Sequence, residues 1–386
     1  MDKINIHPAL NDKHAELRKK VRIFAEQEIK QQAASLDEAA EFSSKITKQM
    51  GDFGLFGINL PLKYGGQNLD TLSYIIAVEE LARVDSSQAA TVAAHNSLGI
   101  APIYKYGTEA QKEKFLPRLT TGKHVWAFGL TEVNAGSDAA GVETTAILDK
   151  GSWVINGKKV YITNSSSEAA VGATLAAVTG KKGDKNELSA ILVDRSTKGY
   201  TTAAIRDKML WRAVDTGKIT LENCQVPEEN LLGERGKGVR IMLETLDSGR
   251  LSIAAIGLGR AQGALEMALE HTKYRTQFNK PIAKFQAIAF KLADMATKLE
   301  NARNTLYKAC WLKDSGHSFG KEAAIAKLYC SEIAKEIADE ALQIHGAAGL
   351  MKGHPIERFY RDQRILQIGE GTSEILKLVI SRHLGI

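Results

Sequence analysis

Cysteine is scarce in this chain of 386 residues, and the three that occur lie far apart: Cys224, Cys310 and Cys330. None of them stands in a Cys-x-x-Cys or Cys-x-x-His spacing, so the sequence predicts neither a zinc site nor a disulfide framework. Long hydrophobic runs are also absent. No uncharged apolar stretch of about 18 residues occurs, and we therefore expect no membrane span.

Targeting signals and strong charge are missing as well. The N-terminus has no apolar run of signal-peptide length, and the first arginine is Arg18, so an Arg-rich transit peptide is not expected either. The net charge of +6 is small for this length, and Lys and Arg do not cluster with aromatic residues, which argues against a nucleic-acid partner. We expect a cytoplasmic protein with buried thiols in a reducing compartment.

Three zones follow one another along the chain, which is long enough for two or three domains. Residues 1–125 carry apolar residues at a near-helical spacing, as at 16–31 and 72–84. Residues 126–235 contain short β-prone runs separated by turn residues. Residues 236–386 are helical again, and their long periodic stretches suit a four-helix bundle. Those stretches cover 239–275, 284–314, 320–346 and 373–384.

The middle zone predicts a compact antiparallel barrel or sandwich, because its strands follow one another without intervening helices. Asn156-Gly157 lies between two β-prone runs and predicts a two-residue hairpin turn. The strand pattern continues at 190–194 and 218–222. In the last zone no helix carries a Glu-x-x-His pair, so a di-iron site is not expected.

The segment Gly257-Leu-Gly-Arg-Ala-Gln-Gly263 resembles the dinucleotide-binding fingerprint. Its third glycine falls one residue late, however, and it lies inside a helical pattern instead of after a strand. A glycine costs a helix interior up to about 1 kcal/mol, so close packing against another helix explains these residues better. We predict no Rossmann site.

Near the C-terminus, Glu370 stands between Gly369 and Gly371, just before Thr372 and Ser373, either of which can cap the next helix. The glycines carry no side chain, so a flat ligand could approach the backbone and meet the carboxylate. A base that removes a carbon-bound proton needs such a position. Taken alone, the motif is better explained as an exposed glutamate beside a helix cap, and the other segments reverse that preference.

Two segments of the middle zone carry candidate binding residues. Residues 128–138 combine glycines, hydroxyls and small residues, which expose backbone amides to a carbonyl-like or phosphate acceptor or form a plain polar loop. Strand alternation places Tyr161 and Thr163 on one face. A flat heteroaromatic could stack there, and an ordinary surface strand would look the same.

Charged residues of the last zone have both functional and structural explanations. Asp247 and Arg250 share a helix face, as a ligand-binding pair or a common ion pair. Arg275 and His345 lie at helix ends, where a cation suits the helix dipole. Pro281 is expected to stop the helix that carries Arg275.

Together and in this order, these segments resemble the acyl-CoA dehydrogenase family. The resemblance covers essentially the whole chain, from Tyr64-Gly-Gly to Glu370-Gly-Thr-Ser-Glu374. It implies a mostly α fold with an inserted β domain: a helical N-terminal domain (1–125), a middle β-barrel (126–235) and a C-terminal four-helix bundle (236–386). It also implies FAD, an acyl-CoA substrate, electron-transfer flavoprotein as electron acceptor and a homotetramer built as a dimer of dimers.

The resemblance also assigns roles to residues. Glu370 matches the catalytic base, which would take the α-proton of a short-chain or short branched-chain acyl-CoA while the β-hydrogen leaves as hydride to flavin N5, giving the trans-2-enoyl-CoA. Its backbone amide would polarise the thioester oxygen. The implied substrate-binding residues are Ser137, Asp247, Arg250 and Gly371. The residues implied to line FAD within one chain are Phe128, Leu130, Thr131, Ser137, Tyr161, Thr163, Thr372 and Glu374. Those implied to reach the FAD of a neighbouring subunit are Arg275, Phe278, Gln286, Gln343, Gly346 and Ala347.

Some positions depart from the usual pattern of the family. Val133 replaces a common Pro, and Leu210, Asn279 and Ala347 replace common glycines. Isovaleryl-type relatives carry their base where this chain has Gly249, which disfavours an isovaleryl assignment. Two other functions remain open: an acyl-CoA oxidase or related flavin enzyme that uses oxygen directly, and a non-catalytic scaffold of the same fold, against which the complete set of site residues argues.

Overall fold

Helices with side-chain caps build the first part of the chain. The structure is a computed structural model that describes residues 7–386, apart from the side chain of Lys182. Asp70 and Asp85 each accept a hydrogen bond from the backbone amide three residues later, the capping geometry that starts a helix. The helices are α1 (Asp12–Phe24), α2 (Lys30–Ala39), α3 (Ser44–Asp52), α4 (Thr71–Ala82), α5 (Ser86–Ala94), α6 (Ala101–Tyr106) and α7 (Glu109–Leu119).

Two of these helices confirm the periodic stretches in the sequence. A π-helical turn, Ala25–Ile29, joins α1 to α2, so the stretch at 16–31 lies inside one longer helical run. The stretch at 72–84 corresponds to α4. This helix is buried along its whole length, because it packs against α1, α5 and the C-terminal helices. A second π-helical turn, His95–Ile100, joins α5 to α6.

The middle region is a mixed β-sheet. Within the described residues its strand order is β6-β7-β3-β2-β4-β5-β8, with β1 paired to β4. Because β1 and β2 both run parallel to β4, the prediction of an all-antiparallel arrangement was wrong. The long connection 130–144 replaces a hairpin between β1 and β2 and permits the parallel pairing. The strands are β1 (Val125–Gly129), β2 (Thr145–Asp149), β3 (Ser152–Thr163), β4 (Ala170–Lys182), β5 (Lys185–Asp194), β6 (Tyr200–Ala204), β7 (Thr216–Pro227) and β8 (Leu231–Leu232).

The predicted hairpin turn at Asn156-Gly157 was also wrong, because both residues lie inside β3, where the register with β7 shifts. The turn lies instead at Lys150-Gly151, where both residues have positive φ and join β2 to β3. Gly157 has a different purpose. A Cβ on this residue would overlap the Thr144 side chain, so glycine allows the two backbones to approach closely.

The C-terminal region is a bundle of long helices. The predicted stretches match α8, α9, α10 and α12 to within two residues at each end, whereas α11 was not predicted. Pro281 does not stop α8, since that helix ends at Tyr274 and Pro281 lies in a small hairpin after it. The elements are α8 (Gly238–Tyr274), β9 (Thr276–Gln277), β10 (Lys280–Pro281), α9 (Gln286–Asp314), α10 (Gly320–His345), α11 (Pro355–Asp362) and α12 (Ser373–His383).

The glycines of the false dinucleotide motif are packing residues of α8. A Cβ on Gly259 would overlap the carbonyl oxygen of Glu79 on α4. A Cβ on Gly257 would lie 2.8 Å from the carbonyl oxygen of Cys330 on α10. The absence of side chains therefore lets α8 approach both neighbouring helices, as the sequence predicted.

A buried ionic network joins the first helices to the bundle. Glu79 of α4 accepts hydrogen bonds from Arg18 of α1 at 3.1 Å, from Arg303 of α9 at 3.3 Å and from the Tyr307 hydroxyl at 2.6 Å. Burial alone would raise the pKa of Glu79, but the two guanidinium groups outweigh it and hold that pKa below its usual range. The two helical regions thus share one set of buried charges.

Candidate active site

Glu370 lies in a strained loop at the entrance to α12. Thr372 caps this helix by accepting a hydrogen bond from the Ile375 amide at 3.3 Å. Glu370 has a left-handed φ of 54°, and Gly371 follows with φ of 104°. A left-handed conformation costs a non-glycine residue about 1–2 kcal/mol. Such strain persists where surrounding contacts hold it, which is common at functional sites.

One oxygen of the Glu370 carboxylate, Oε2, is buried without a partner among the described residues. Within the same part of the chain, no group accepts from the Glu370 backbone amide. A Cβ on Gly249 would overlap this oxygen and lie 2.9 Å from the carboxyl carbon. Gly249 of α8 therefore leaves the space that the carboxylate occupies. The Leu98 side chain borders the same space, 3.0 Å from that Cβ position.

Burial raises the pKa of Glu370 to about 7, although the charges of Lys327 and Arg250 act in the opposite direction. The residue as a whole is half-buried, but the buried Oε2 atom lacks the hydrogen bonds that would hold a carboxylate ionised. A carboxylate with a pKa near neutrality can both accept and release a proton at physiological pH. The geometry and the pKa therefore suit a general base.

Asp247 and Arg250 form the predicted ion pair beside this base, with 2.5 Å between Oδ1 and Nη1. Arg250 is buried, and its Nε atom has no partner among the described residues. Burial raises the pKa of Asp247, and the Arg250 charge opposes that rise. The pair is therefore more than a solvated surface contact: it places a buried cation on the Glu370 side of α8.

The predicted binding loop begins at the end of β1. Phe128 and Leu130 are buried, whereas Ser137 is exposed. The Thr131 carbonyl accepts from the Val160 amide of β3 at 3.0 Å, which anchors the start of the loop. Further along the loop, residues 136–138 are exposed, whereas Ala135 and Val142 are buried.

A buried ion pair that the sequence did not reveal shapes this loop. Glu132 accepts from the Lys159 ammonium at 2.7 Å and from the backbone amides of Glu143 and Thr144 at 2.8 and 3.1 Å. One carboxylate thus closes the loop from its first turn to the start of β2. Burial lowers the pKa of Lys159 to about 8, and Glu132 opposes that change.

Tyr161 presents its ring at an irregular point of β3. Its φ is 59°, the register with β7 shifts between Lys159 and Ile162, and its side chain is 70% exposed. Ile162 is buried and Thr163 half-buried, so burial alternates from Tyr161 to Thr163. The bulge turns an aromatic ring outward, as a stacking surface requires.

Leu98 connects these two groups of residues. It packs against the hydrophobic cluster that contains Phe128 and Leu130, and it also borders the space between Gly249 and Glu370. Leu98 therefore borders the base and also belongs to the apolar surroundings of the cluster in which the start of the binding loop is buried. Leu98 lies in the π-helical turn His95–Ile100, an irregularity frequent at functional sites.

The six residues predicted to reach a neighbouring subunit lie elsewhere. His271 and His345 stack with 4.4 Å between ring centroids, which brings the ends of α8 and α10 together. At 1.5 Å of helical rise per residue, Arg275 lies about 37 Å along the chain direction from Arg250. This set is separate from Glu370 in one chain, and every member is exposed: Arg275, Phe278, Gln286, Gln343, Gly346 and Ala347.

One departure from the family pattern has a structural explanation. Phe278 and Asn279 form the two-residue turn between β9 and β10, with φ of 50° and 64°. Asn tolerates the left-handed region better than most residues, so Asn279 replaces glycine without changing the turn. Phe278 at its tip is 85% exposed.

Lys327, which was not predicted from the sequence as a site residue, is fully buried on α10. Its ammonium group donates a hydrogen bond to the Gly371 carbonyl at 2.5 Å. A signal was available, because Ala323, Ala324 and Cys330 place apolar residues around it at helical spacing. A lysine on an apolar helix face without a nearby partner in sequence indicates a long-range contact.

The three cysteines are free and buried. None of the helices within residues 7–386 has both the length and the apolar character needed to cross a membrane. The same residues contain no group of three or more His, Cys, Asp or Glu side chains placed to hold a metal ion.

Three family models match successive parts of the chain. The acyl-CoA dehydrogenase N-terminal domain matches residues 11–123, the middle domain residues 127–224 and the C-terminal domain residues 236–385. The chain is thus an oxidoreductase whose site contains a buried carboxylate. It belongs to the acyl-CoA dehydrogenase family.

Similar proteins span nearly the whole chain. A probable acyl-CoA dehydrogenase of Bacillus subtilis is 48% identical over 95% of this chain and 97% of its own length. A short-chain specific acyl-CoA dehydrogenase of Clostridium acetobutylicum is 41% identical over 95% and 96%. An NADH acryloyl-CoA reductase of Anaerotignum propionicum is 44% identical over 95% and 93%.

Solved structures agree in fold. The butyryl-CoA dehydrogenase of Megasphaera elsdenii superposes with a TM-score of 0.94 at 40% identity, covering 98% of this chain and 99% of that chain. A chain of the structure of the electron transferring flavoprotein of Acidaminococcus fermentans reaches 0.95 at 41%, with 98% and 99% covered. An acyl-CoA dehydrogenase of Bacillus anthracis, complexed with FAD, reaches 0.91 at 34%, with 98% and 68% covered. The expected fold and cofactor are thus confirmed at the level of the family.

Proposed function

We propose that this protein is an FAD-dependent dehydrogenase of short-chain or short branched-chain acyl-CoA thioesters, with Glu370 as the catalytic base. The observation that carries the proposal is the buried, unpartnered Oε2 atom of Glu370 beside Gly249, in a carboxyl group whose pKa burial raises to about 7. An idle carboxylate in this environment would cost stability without compensation, so its burial is best explained by a reaction that uses it.

The residues of the chain fit a flavin. The Tyr161 ring is exposed on a bulge, and a Cβ on Gly136 of the binding loop would meet no atom within 4 Å. The flavin ring would lie along the surface formed by Phe128, Leu130, Tyr161 and Thr163. The other residues near FAD would be Thr131, Ser137, Thr372 and Glu374. When bound, FAD supplies the acceptor for the hydride from the β-carbon.

The chain's own groups perform the remaining steps. Glu370 Oε2 takes the α-proton, and the electrons of that C–H bond form the new double bond as the β-hydrogen leaves. The free backbone amide of Glu370 polarises the thioester oxygen and stabilises its developing negative charge. Ser137, Asp247, Arg250 and Gly371 hold the substrate, and the apolar wall at Leu98 excludes water.

The assignment to short acyl chains is supported by the similarity to short-chain and butyryl-CoA enzymes. A second candidate is the reverse reaction, supported by the 44% identity to an acryloyl-CoA reductase. In that direction the protonated Glu370 would deliver a proton to the α-carbon, because an acid–base group serves both directions of one reaction.

The partner assignments are part of the proposal. Electron-transfer flavoprotein would accept the electrons, in line with the similar chain from an electron transferring flavoprotein structure; direct use of oxygen would instead define an oxidase. In a homotetramer, the six exposed residues would reach the FAD of another subunit: Arg275, Phe278, Gln286, Gln343, Gly346 and Ala347. Arg275 lies about 37 Å along α8 from Arg250, whose charge acts on Glu370, and this separation within one chain supports the arrangement. The divisions near residues 125 and 235 remain our prediction of the domain boundaries.

Anaerobic titration tests the proposal. The purified yellow protein should bleach on adding butyryl-CoA, and less readily with acyl chains of increasing length. Glu370→Gln should stay yellow and bind acyl-CoA but lose about 10²–10⁴-fold or more in the rate of bleaching. A colourless protein would support the hypothesis of a non-catalytic scaffold. Peroxide formation in air would support the hypothesis of an acyl-CoA oxidase. Unchanged bleaching by Glu370→Gln would refute the assignment of the base.

A further inference from the structure

Lys327 is a fully buried cation that the proposed steps do not use. Its side chain lies on α10 with no exposure, and its hydrogen bond among the described residues goes to the Gly371 carbonyl. A buried ammonium group costs several kcal/mol unless its surroundings compensate for the lost hydration. One neutral carbonyl does not neutralise the charge. The position therefore calls for an explanation beyond packing.

The loop that this bond holds is the one that carries the base. Glu370 and Gly371 both have positive φ, and Gly369 is tied to Ile365 by a backbone bond of 2.8 Å. On the other side, Thr372 caps α12. Between these anchors, the Gly371 carbonyl is held only by Lys327 among the described residues. The bond fixes the peptide plane between Gly371 and Thr372, one residue beyond Glu370, and so restricts the conformation of the loop that carries the base.

Charged groups face Glu370 from several elements. Arg250 approaches from α8 and Lys327 from α10. Glu332 of α10 is engaged with Ser373 at 2.6 Å and Gln367 at 2.5 Å, and Glu374 lies exposed at the start of α12. Tyr74 of α4 donates its hydroxyl to the Ala93 carbonyl. Lys327 is thus the cation that also touches the catalytic loop.

We propose that Lys327 is a positioning residue for the base: its ammonium group orients Glu370 through the Gly371 carbonyl, and its charge favours the ionised carboxylate. The inference rests on the proposed function and extends it to a residue outside the substrate and flavin surfaces. Burial lowers the pKa of Lys327 to about 8, with Glu370 opposing the change. The lysine is therefore mainly charged where Glu370 loses its proton.

The test compares pH profiles of kcat/KM for the parent, Lys327→Met and Lys327→Gln, all loaded with FAD. Loss of a neighbouring positive charge raises the pKa of a carboxylate by about one unit or more. The acid limb of both variants should therefore move to higher pH by about that amount. Gln can still donate to the Gly371 carbonyl, so its plateau should exceed that of the Met variant. Lys335→Met, an exposed change on the same helix, should leave limb and plateau unchanged.

The outcomes separate this inference from the proposed function. An acid limb at the parental pH in either folded, yellow Lys327 variant overturns the role of the charge. Equal plateaus for the Met and Gln variants overturn the role of the hydrogen bond. If Lys327→Met fails to fold, Lys327→Gln decides the role of the charge, and Lys327→Arg, which keeps charge and donor, must restore the parental profile. A parent protein that oxidises no acyl-CoA defeats the proposed function itself.

Discussion

Glu370 Oε2 occupies the place that a side chain on Gly249 would fill. A Cβ at that position would overlap the oxygen and lie 2.9 Å from the carboxyl carbon. The loop before α12 and the middle of α8 thus offer two routes by which a carboxylate can enter one space. In this chain the carboxylate comes from Glu370 in the loop, and α8 has Gly249, which carries no side chain, at the facing position.

The first prediction is that a glutamate placed at position 249 on α8 can partly replace Glu370 as the base. Gly249→Glu alone should impair substrate binding, because a second buried carboxylate would displace Glu370 and repel it. Combined with Glu370→Gly, it should restore flavin reduction at least about tenfold over Glu370→Gly alone, since positioning accounts for much of general base catalysis. Stopped-flow bleaching measures both. A folded, yellow double variant no faster than the single variant would show that the two positions are not equivalent.

The raised pKa of Glu370 predicts an unusual stability profile. Because the folded-state pKa of about 7 exceeds the usual value of 4.5, the folded protein binds the extra proton between these values. Stability should therefore fall as pH rises from about 4.5 to 7, by up to about 3 kcal/mol from this group. Glu370→Gln should remove the fall and be more stable than the parent at about pH 8.

Denaturant unfolding at several pH values checks this expectation. Glu336→Gln, a substitution of an exposed glutamate on α10, serves as the matched control and should follow the parental profile. If Glu370→Gln and the parent lose stability in parallel between pH 4.5 and 7, the carboxylate is not held protonated by burial.

A shared cofactor is the third prediction. Arg275→Ala should lower FAD retention about tenfold and weaken the oligomer at the same time, because a ligand bound between subunits stabilises the assembly. The flavin-to-protein ratio after gel filtration and sedimentation velocity measure the two effects. Lys273→Ala, an exposed change two residues earlier, should affect neither. Full FAD occupancy in a stable monomer would contradict the shared site.

The buried Glu132–Lys159 pair provides the fourth prediction. Lys159→Met leaves Glu132 buried without its partner and should destabilise the protein by about 3–5 kcal/mol. Adding Glu132→Gln should recover at least about 1 kcal/mol, because the neutral amide needs no counter-charge. Denaturant midpoints of unfolding for the parent and the two variants measure both changes in stability. Equal stability of Lys159→Met and the parent would mean that the loop does not depend on this pair.

Local periodicity predicted the bundle well. The stretch at 284–314 is α9 (Gln286–Asp314) because apolar residues repeat at helical spacing along all of it. The turn at Asn156-Gly157 failed because the dipeptide preference is local, whereas Gly157 is required by the approach of Thr144 from the preceding segment. The actual turn at Lys150-Gly151 has a weaker sequence signal.

Only part of the site could be predicted, because local sequence signals do not report long-range contacts. The helix cap after Glu370 follows from neighbouring residues and was recognisable. The burial of its carboxylate depends on Gly249 and Leu98, far away in sequence, and the contact of Lys327 with Gly371 joins residues of separate helices. Such contacts are set by the tertiary packing of α8, α10 and the loop, which no short sequence window contains.

The charges shared by α1, α4 and α9 have a consequence for cooperativity. Separating the N-terminal helices from the bundle would break the contacts of Glu79 with Arg303 and Tyr307. It would also expose to water the apolar core that α4 shares with α8 and α9, which costs free energy in proportion to the apolar area exposed. The N-terminal and C-terminal helical regions, which match separate family models, are therefore not independent folding units. Heat should melt both helical regions in a single transition, and an isolated bundle should be molten or aggregate.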